Sequence, residues 1–390
     1  MQIKGKIRKI AAILSVMAML VLVVVLVSGN DVGAIDTGEV VILHIEVDGV
    51  PVYDLDTDGF DAEMQMERLD ELFFSTPIIP EPESIIRALT ADGTVLDSPR
   101  INFLIPPNER RDTFIIGLEN EPTEEDIAFI VFYTGIPREL LDIEKAVINI
   151  GPYLPSYLDE YLYESNYFPE EYLQEYSQHR LSYEEYYFTE QEDFNPRSSP
   201  WLRMGQEIDI RRNGHLIASL NLGPPRSGAG TSFFTASHGL ARVGDWVYFR
   251  GTNTRIGRVI DVRLFGSVDA TEVDVNVTGR LVSSLIPPRN IEMIGNFAGT
   301  ARIGDRVGSV RRGGNIWPGR VDSLNARIVV GITPLSNMIG VYPGTTRRPG
   351  DSGGALIRLD DNAVLGITVG SVTRGPFSVH AVYSPIRSFR

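Results

Sequence analysis

From Trp201 to Arg390 the chain is a succession of short β-rich runs broken by Gly, Pro or Asn. HLIASLNL, SFFTAS, DWVYFR, RIGRVIDVRLF, EVDVNV, RIVVGI and VLGITVG are examples. Many short strands at such spacing predict an all-β sandwich or barrel for this part. An echo runs through it: RVGDWV around Gly244-Asp245 matches RIGDRV around Gly304-Asp305, as two similar half-barrels would. The chain has no cysteine. Disulfide staples, thiolate zinc sites, iron–sulfur clusters and cysteine catalysis are therefore excluded, and stability must come from the size of the core.

The other end is different. Lys4, Lys6, Arg8 and Lys9 precede an unbroken apolar run from Ile10 to Val27. A positive head and an apolar body make an export signal, with Val27-Ser28-Gly29 as a small-residue cleavage site. The run is also about long enough to span a bilayer. Residues 1–29 are thus either a cleaved signal peptide or a retained membrane anchor. Basic residues stay on the cytoplasmic side, so the rest of the chain is expected outside, secreted or tethered.

Charge divides the chain again. Of its 36 basic and 51 acidic residues, 23 arginines and 13 acids lie in 201–390, which leaves 13 basic and 38 acidic in 1–200. The halves therefore carry +10 and −25, and opposite signs in one chain attract. The arginines are scattered singly with no nucleic-acid motif beside them, so no nucleic-acid partner is expected.

Residues 30–150 are expected to form a small α/β domain. Glu39–Val47 is β-rich, and the acidic stretch to Pro82 mixes loop and short helix. Phe114–Leu118 reads as a strand. Thr123 with Asp126 three residues on is close to a capping box, and opens a helix with Ile127, Ile130, Val131 and Thr134 on its apolar face. Gly135-Ile136-Pro137 stops it, and a further helical piece or strand runs to Ile150. Residues 151–200 are an acidic linker in which ten tyrosines alternate with glutamates between Tyr153 and Phe194. It is either a solvated helical linker or a docking segment for the arginine-rich half. Asn195–Pro200 (NPRSSP) marks the boundary, and 201–390 is the β-rich domain.

Ser352 stands in RRPGDSGGALIRL, caged by Gly350, Gly353 and Gly354. Glycine lets a backbone turn sharply and approach a ligand closely. A serine on such a turn exposes its hydroxyl, and the N–H groups of Gly350 and Ser352 can converge on a developing oxyanion. Serine alone is a poor nucleophile and needs a base. The chain has five histidines; His44 and His179 lie in the acidic half, and His215 and His380 in ordinary β or loop surroundings. His238, in SFFTASHGLARVGD, follows an apolar strand and is the natural general base.

TASH followed at a distance by PGDSGG resembles the chymotrypsin-like serine protease family, and most closely its bacterial streptogrisin and α-lytic branch, over about residues 205–390. The resemblance implies two six-stranded antiparallel β-barrels, preceded here by the smaller α/β domain. It implies an exported endopeptidase that hydrolyses peptide bonds through an acyl-enzyme, with His238 as base and Ser352 as nucleophile. It also implies that Gly350 and Ser352 form the oxyanion hole, and it implies no cofactor and no metal. FGSVDATEVDVNV offers two acids in the family order. Asp269 fits the family pattern better than Asp274, and both remain candidates. The substrate pocket implied by the resemblance is Thr346, Val369 and Ser371. Thr346 stands where trypsin-like members carry an aspartate, so uncharged side chains are expected before the scissile bond. Val369 replaces a serine that binds the catalytic acid in relatives. The acidic N-terminal part is expected to act as a prosegment docked in cis. A membrane-tethered sensor and a non-catalytic binding module on a protease fold are the alternatives.

Overall fold

The computed structural model describes residues 42–48, 50–52, 62–75, 86–149, 201–226, 230–237, 241–286, 291–292, 299–331, 333–344, 350–374 and 378–389. The apolar run Ile10–Val27, the tyrosine-rich segment and the boundary at 195–200 lie outside them. Among the described residues no helix is long and apolar enough to cross a membrane. These residues are mostly β-strand and separate into two compact units.

The smaller unit comprises residues up to 101 together with 121–141. Strands β1 (Ile42–Val47), β2 (Val50–Val52), β3 (Ile86–Thr90) and β4 (Val95–Asp97) form an antiparallel sheet in the order β2-β1-β3-β4. Helix α1 (Ala62–Phe74) buries Leu69, Leu72 and Phe73. Helix α2 (Glu124–Thr134) has the capping box that its sequence announces. The Thr123 hydroxyl accepts the Asp126 N–H at 3.1 Å, and the Asp126 carboxylate accepts the Thr123 N–H at 2.9 Å. Gly135 ends the helix at φ 65°. The buried face is Phe129, Ile130, Tyr133 and Thr134 rather than one carrying Ile127 and Val131. Aromatic bulk decides it: the Tyr133 hydroxyl reaches Glu71 on α1 at 2.6 Å, so the rings turn inward.

The larger unit takes in 102–120 and 142–390. Residues 30–150, read as one domain in the sequence, are thus shared between the two units. Strands β5 (Ile101–Ile105), β6 (Phe114–Leu118) and β7 (Leu141–Asn149) belong to the sheet system of the β-rich half. After the short β8 (Trp201–Leu202) come β9 (Glu207–Arg212), β10 (His215–Asn221), β11 (Ser232–Thr235), β12 (Trp246–Phe249), β13 (Arg255–Phe265) and β14 (Val268–Asp274). They form a six-stranded sheet in the order β10-β9-β12-β13-β14-β11. Its ends meet, because Phe234 in β11 exchanges backbone bonds with Gly223 and Pro224 just after β10. The interior is apolar, with Ile208, Ile210, Phe233, Val247, Val259 and Val273 all buried.

The short strands β15 (Leu281–Val282), β16 (Leu285–Ile286) and β17 (Ile291–Glu292) lead into the second sheet. Its later strands are β18 (Arg306–Val310), β19 (Ile316–Val330), β20 (Thr333–Tyr342), β21 (Ala355–Arg358), β22 (Val364–Arg374) and β23 (Ser378–Pro385). The order β18-β21-β22-β23-β20-β19 closes on itself through β18–β19 pairing. Strands β5, β6 and β7 then bridge from β19 round to β22 and close a second ring. That ring is filled by Phe103, Ile105, Ile115 and Ala146 against Ile328, Leu335, Met338, Val369, Val372 and Val382.

Candidate active site

The Ser352 turn lies between the two sheets, and its glycines are demanded by what surrounds them. Gly350 and Gly353 adopt φ of 91° and 94°, a region that costs an L side chain roughly 1–2 kcal/mol. Space is the harder constraint. A Cβ on Gly353 would lie 2.2 Å from Thr235 Oγ1 and 2.5 Å from the Asn221 carbonyl, and one on Gly354 would lie 2.1 Å from the Val310 carbonyl. The turn is stapled on both sides. Asn221 N–H donates to the Ser352 carbonyl at 2.8 Å, Gly353 N–H to the Thr368 carbonyl at 2.9 Å, and Thr368 N–H to the Gly354 carbonyl at 2.7 Å. Asp351, 2% exposed, has Oδ2 4.0 Å from Arg311 Nη1, and its Oδ1 accepts the Arg312 N–H at 3.4 Å.

Ser352 itself is 3% exposed. Its hydroxyl donates to the Val369 carbonyl at 3.1 Å. Val369 sits where the β22–β23 register shifts, between Thr368 and Gly370; such bulges re-aim backbone groups beside sites. Among the described residues the N–H groups of Gly350 and Ser352 have no backbone acceptor.

Asp269 on β14 is fully buried. A buried carboxylate is costly unless donors meet it, and its Oδ1 accepts the Ser237 N–H at 2.7 Å. Its own N–H donates to Ser384 Oγ at 3.0 Å, and Ser384 Oγ donates in turn to the Ser267 carbonyl at 2.8 Å. The Asp269 backbone is thus held from β23, by a serine that the sequence did not single out. Asp274 lies at the other end of the β11–β14 ladder, opposite Ser232, and its Oδ1 accepts the Asn276 N–H at 2.9 Å.

His238, directly after Ser237 in the chain, lies outside the described residues, as do Gly239 and Thr346. Val369 and Ser371 are both fully buried on β22. The Val369 side chain joins the core beneath β5–β7. Ser371 lies opposite Asn149 of β7. Among the described residues no cluster of three His, Asp or Glu side chains is placed to hold a metal ion.

No family model matches the chain, and no curated protein matches it. Among solved structures it is similar to chymotrypsin of Cellulomonas bogoriensis, at 19% identity over 48% of this chain and 93% of that one, with a TM-score of 0.37. It is similar to Nocardiopsis protease at 18% identity over 48% and 94% of the two chains, TM-score 0.37. Protease A of Thermobifida fusca follows at 17% identity over 48% and 93%, TM-score 0.38. These neighbours are bacterial chymotrypsin-like serine proteases.

Proposed function

We propose that the chain is a chymotrypsin-like serine endopeptidase acting through Ser352, His238 and Asp269. The observation that carries this reading is the buried Asp269 carboxylate, hydrogen-bonded to the N–H of Ser237, the residue before the histidine. An acid there can orient an imidazole and stabilise its cation, which is the part an aspartate plays in a Ser–His–Asp triad. The glycine-caged Ser352 with two N–H donors supplies the other half. The two closed six-stranded arrangements are read as the two barrels.

In this reading His238 takes the Ser352 proton as Oγ attacks the carbonyl carbon of the scissile bond. The oxyanion is received by the N–H groups of Gly350 and Ser352. The imidazolium passes its proton to the leaving amine, the C–N bond breaks, and an acyl-enzyme remains. Water, activated by His238, then releases the acid and restores Ser352. Substrates are proteins or peptides, with an uncharged residue before the scissile bond because Thr346 replaces a carboxylate. The enzyme is exported, either secreted or anchored through Ile10–Val27, and made as a precursor with an acidic N-terminal part.

Ser352→Ala is expected to lower peptide turnover by about 10⁶-fold, as loss of a triad nucleophile does, with an unchanged unfolding midpoint. Residual turnover within tenfold of wild type would reject the assignment.

A further inference from the structure

Strand β22 carries the backbone carbonyl that accepts the Ser352 hydroxyl, and its pairing partners are unequal. One edge is covered along its length by β23, from Gly366 opposite Pro385 to Arg374 opposite Ser378. The other is covered by β21 as far as Ile367, and by Gly354 at Thr368. From Ser371 onward it is covered by β7, with Ser371 opposite Asn149, Val372 opposite Ile148, Thr373 opposite Val147 and Arg374 opposite Ala146. Between these partners lie Val369 and Gly370, and the Val369 carbonyl is the one that accepts the Ser352 hydroxyl.

An extended peptide binds a sheet by adding a strand to it, with main-chain hydrogen bonds supplying affinity. A peptide that presents a carbonyl to Ser352 and lies along β22 would run on to Ser371 and Thr373. Those positions are taken by the chain's own β7, which is antiparallel to β22 and points toward Ser352.

How β7 is held bears on whether it can leave. Of the core that fills the second ring, β7 contributes Ala146 and the half-buried Ile148, whereas Phe103, Ile105 and Ile115 come from β5 and β6. Most β7 positions are only partly buried. The strand is also paired with β6, accepts a bond from the buried Asn102 Nδ2 on the Ala146 carbonyl at 3.0 Å, and is tied to β22 by ionic contacts. Arg374 is 1% exposed, and its Nη2 donates to the Asp142 carbonyl at 3.2 Å and to Asp142 Oδ1 at 2.7 Å. Glu144 Oε2 lies 3.5 Å from the same nitrogen. Both acids sit on β7 and are nearly half exposed, so detachment would hydrate both charges rather than strand them.

We infer that β7 is an intramolecular occupant of the peptide-binding edge, clamped by Asp142 and Glu144 on Arg374, and that the chain is self-inhibited toward extended substrates until β7 detaches. This rests on the peptidase reading of Ser352. It goes beyond a releasable prosegment, since β5 and β6 stay in the fold and only one strand has to move.

The test uses the full chain, as wild type and as Asp142→Asn/Glu144→Gln, which weakens the clamp and leaves the Ser352 turn untouched. Each is assayed with a single-residue p-nitrophenyl ester and with amide substrates carrying one to four residues before the scissile bond. The ester needs no sheet edge and should react equally with both proteins. Wild type should show no rise in kcat/KM as the amide substrate lengthens, whereas the variant should gain about tenfold between one and four residues. A wild-type rise as steep as the variant's would show that β7 obstructs nothing. If the variant does not fold, the wild-type length series decides alone. Failure of both proteins to react with the ester and with a fluorophosphonate would instead reject the peptidase reading, and the inference with it.

Discussion

Gly353 answers two demands at once, a φ of 94° and a neighbour, the Asn221 carbonyl, that a Cβ would meet at 2.5 Å. Backbone cannot swing aside as a side chain can. Gly353→Ala is therefore expected to destabilise the fold by more than about 4 kcal/mol, the range of severe steric lesions. Gly251→Ala, at φ 67° with nothing within 4 Å of its Cβ, should cost only about 1–2 kcal/mol. Denaturant titration of the two variants separates close approach from backbone strain; equal losses would remove the steric account. Gly353 was legible in the sequence because PGDSGG is a local pattern. For the acid the sequence favoured Asp269 over Asp274 on the same strand. The partners of Asp269, the Ser237 N–H that meets its Oδ1 and the Ser384 hydroxyl that accepts its N–H, are brought up by chain 32 and 115 residues away. No spacing within FGSVDATEVDVNV records those partners.

At the scale of elements, the repeated GD turns show how a faint echo becomes architecture. Gly244 N–H donates to the Val259 carbonyl and Gly304 N–H to the Val321 carbonyl, at 2.9 and 2.7 Å. The following aspartates, Asp245 and Asp305, each accept a backbone N–H, from Arg242 and Arg302. The same device opens β12 in one sheet and β18 in the other. Strand β23 shows the opposite case, an ordinary-looking histidine in an extraordinary place. His380 is buried between Phe103 and Tyr342, with Nε2 3.7 Å from Asp322 Oδ2. Arg111 bonds to the same carboxylate, and Arg374 also bears on the ring. Burial, more than the attraction of Asp322 can offset, holds the imidazole below its ordinary value of 6.5. Such a histidine stays neutral in the folded chain while the unfolded chain takes up a proton below that value. Stability is therefore present above about pH 6.5 and falls as pH drops through it, by at most ~1.4 kcal/mol per pH unit for one proton. Asp322, itself held below the ordinary carboxylate range against its burial by the neighbouring His380 and Arg111, adds its loss only at lower pH. Unfolding free energies between pH 7 and 5 should decline in wild type and flatten in His380→Gln. An unchanged slope would assign the acid sensitivity to other groups.

For the whole molecule, the division at residue 200 suggested by composition does not coincide with the division in space. The stretch Phe114–Asn149 looks local in sequence because helix α2 separates β6 from β7, yet β7 pairs with β22, more than two hundred residues on. Partners so distant leave no short-range signature, and the change in charge at the linker pointed elsewhere. Phe103, Ile105 and Ile115 are buried side chains, each worth roughly 1.5–3 kcal/mol of transfer free energy. Residues 201–390 alone should therefore aggregate or remain partly unfolded, and a chain that restores 102–149 should be monomeric by light scattering. A stable, monomeric 201–390 fragment would show that the added strands are dispensable. The central claim is that Ser352 is the nucleophile, and adduct mapping tests it most directly. The full chain, before and after cleavage within 150–200, is treated with a small fluorophosphonate, and the labelled peptide is located by mass spectrometry. The account predicts one adduct, on Ser352, lost in His238→Ala; an adduct on another residue, or none in either form, would contradict it.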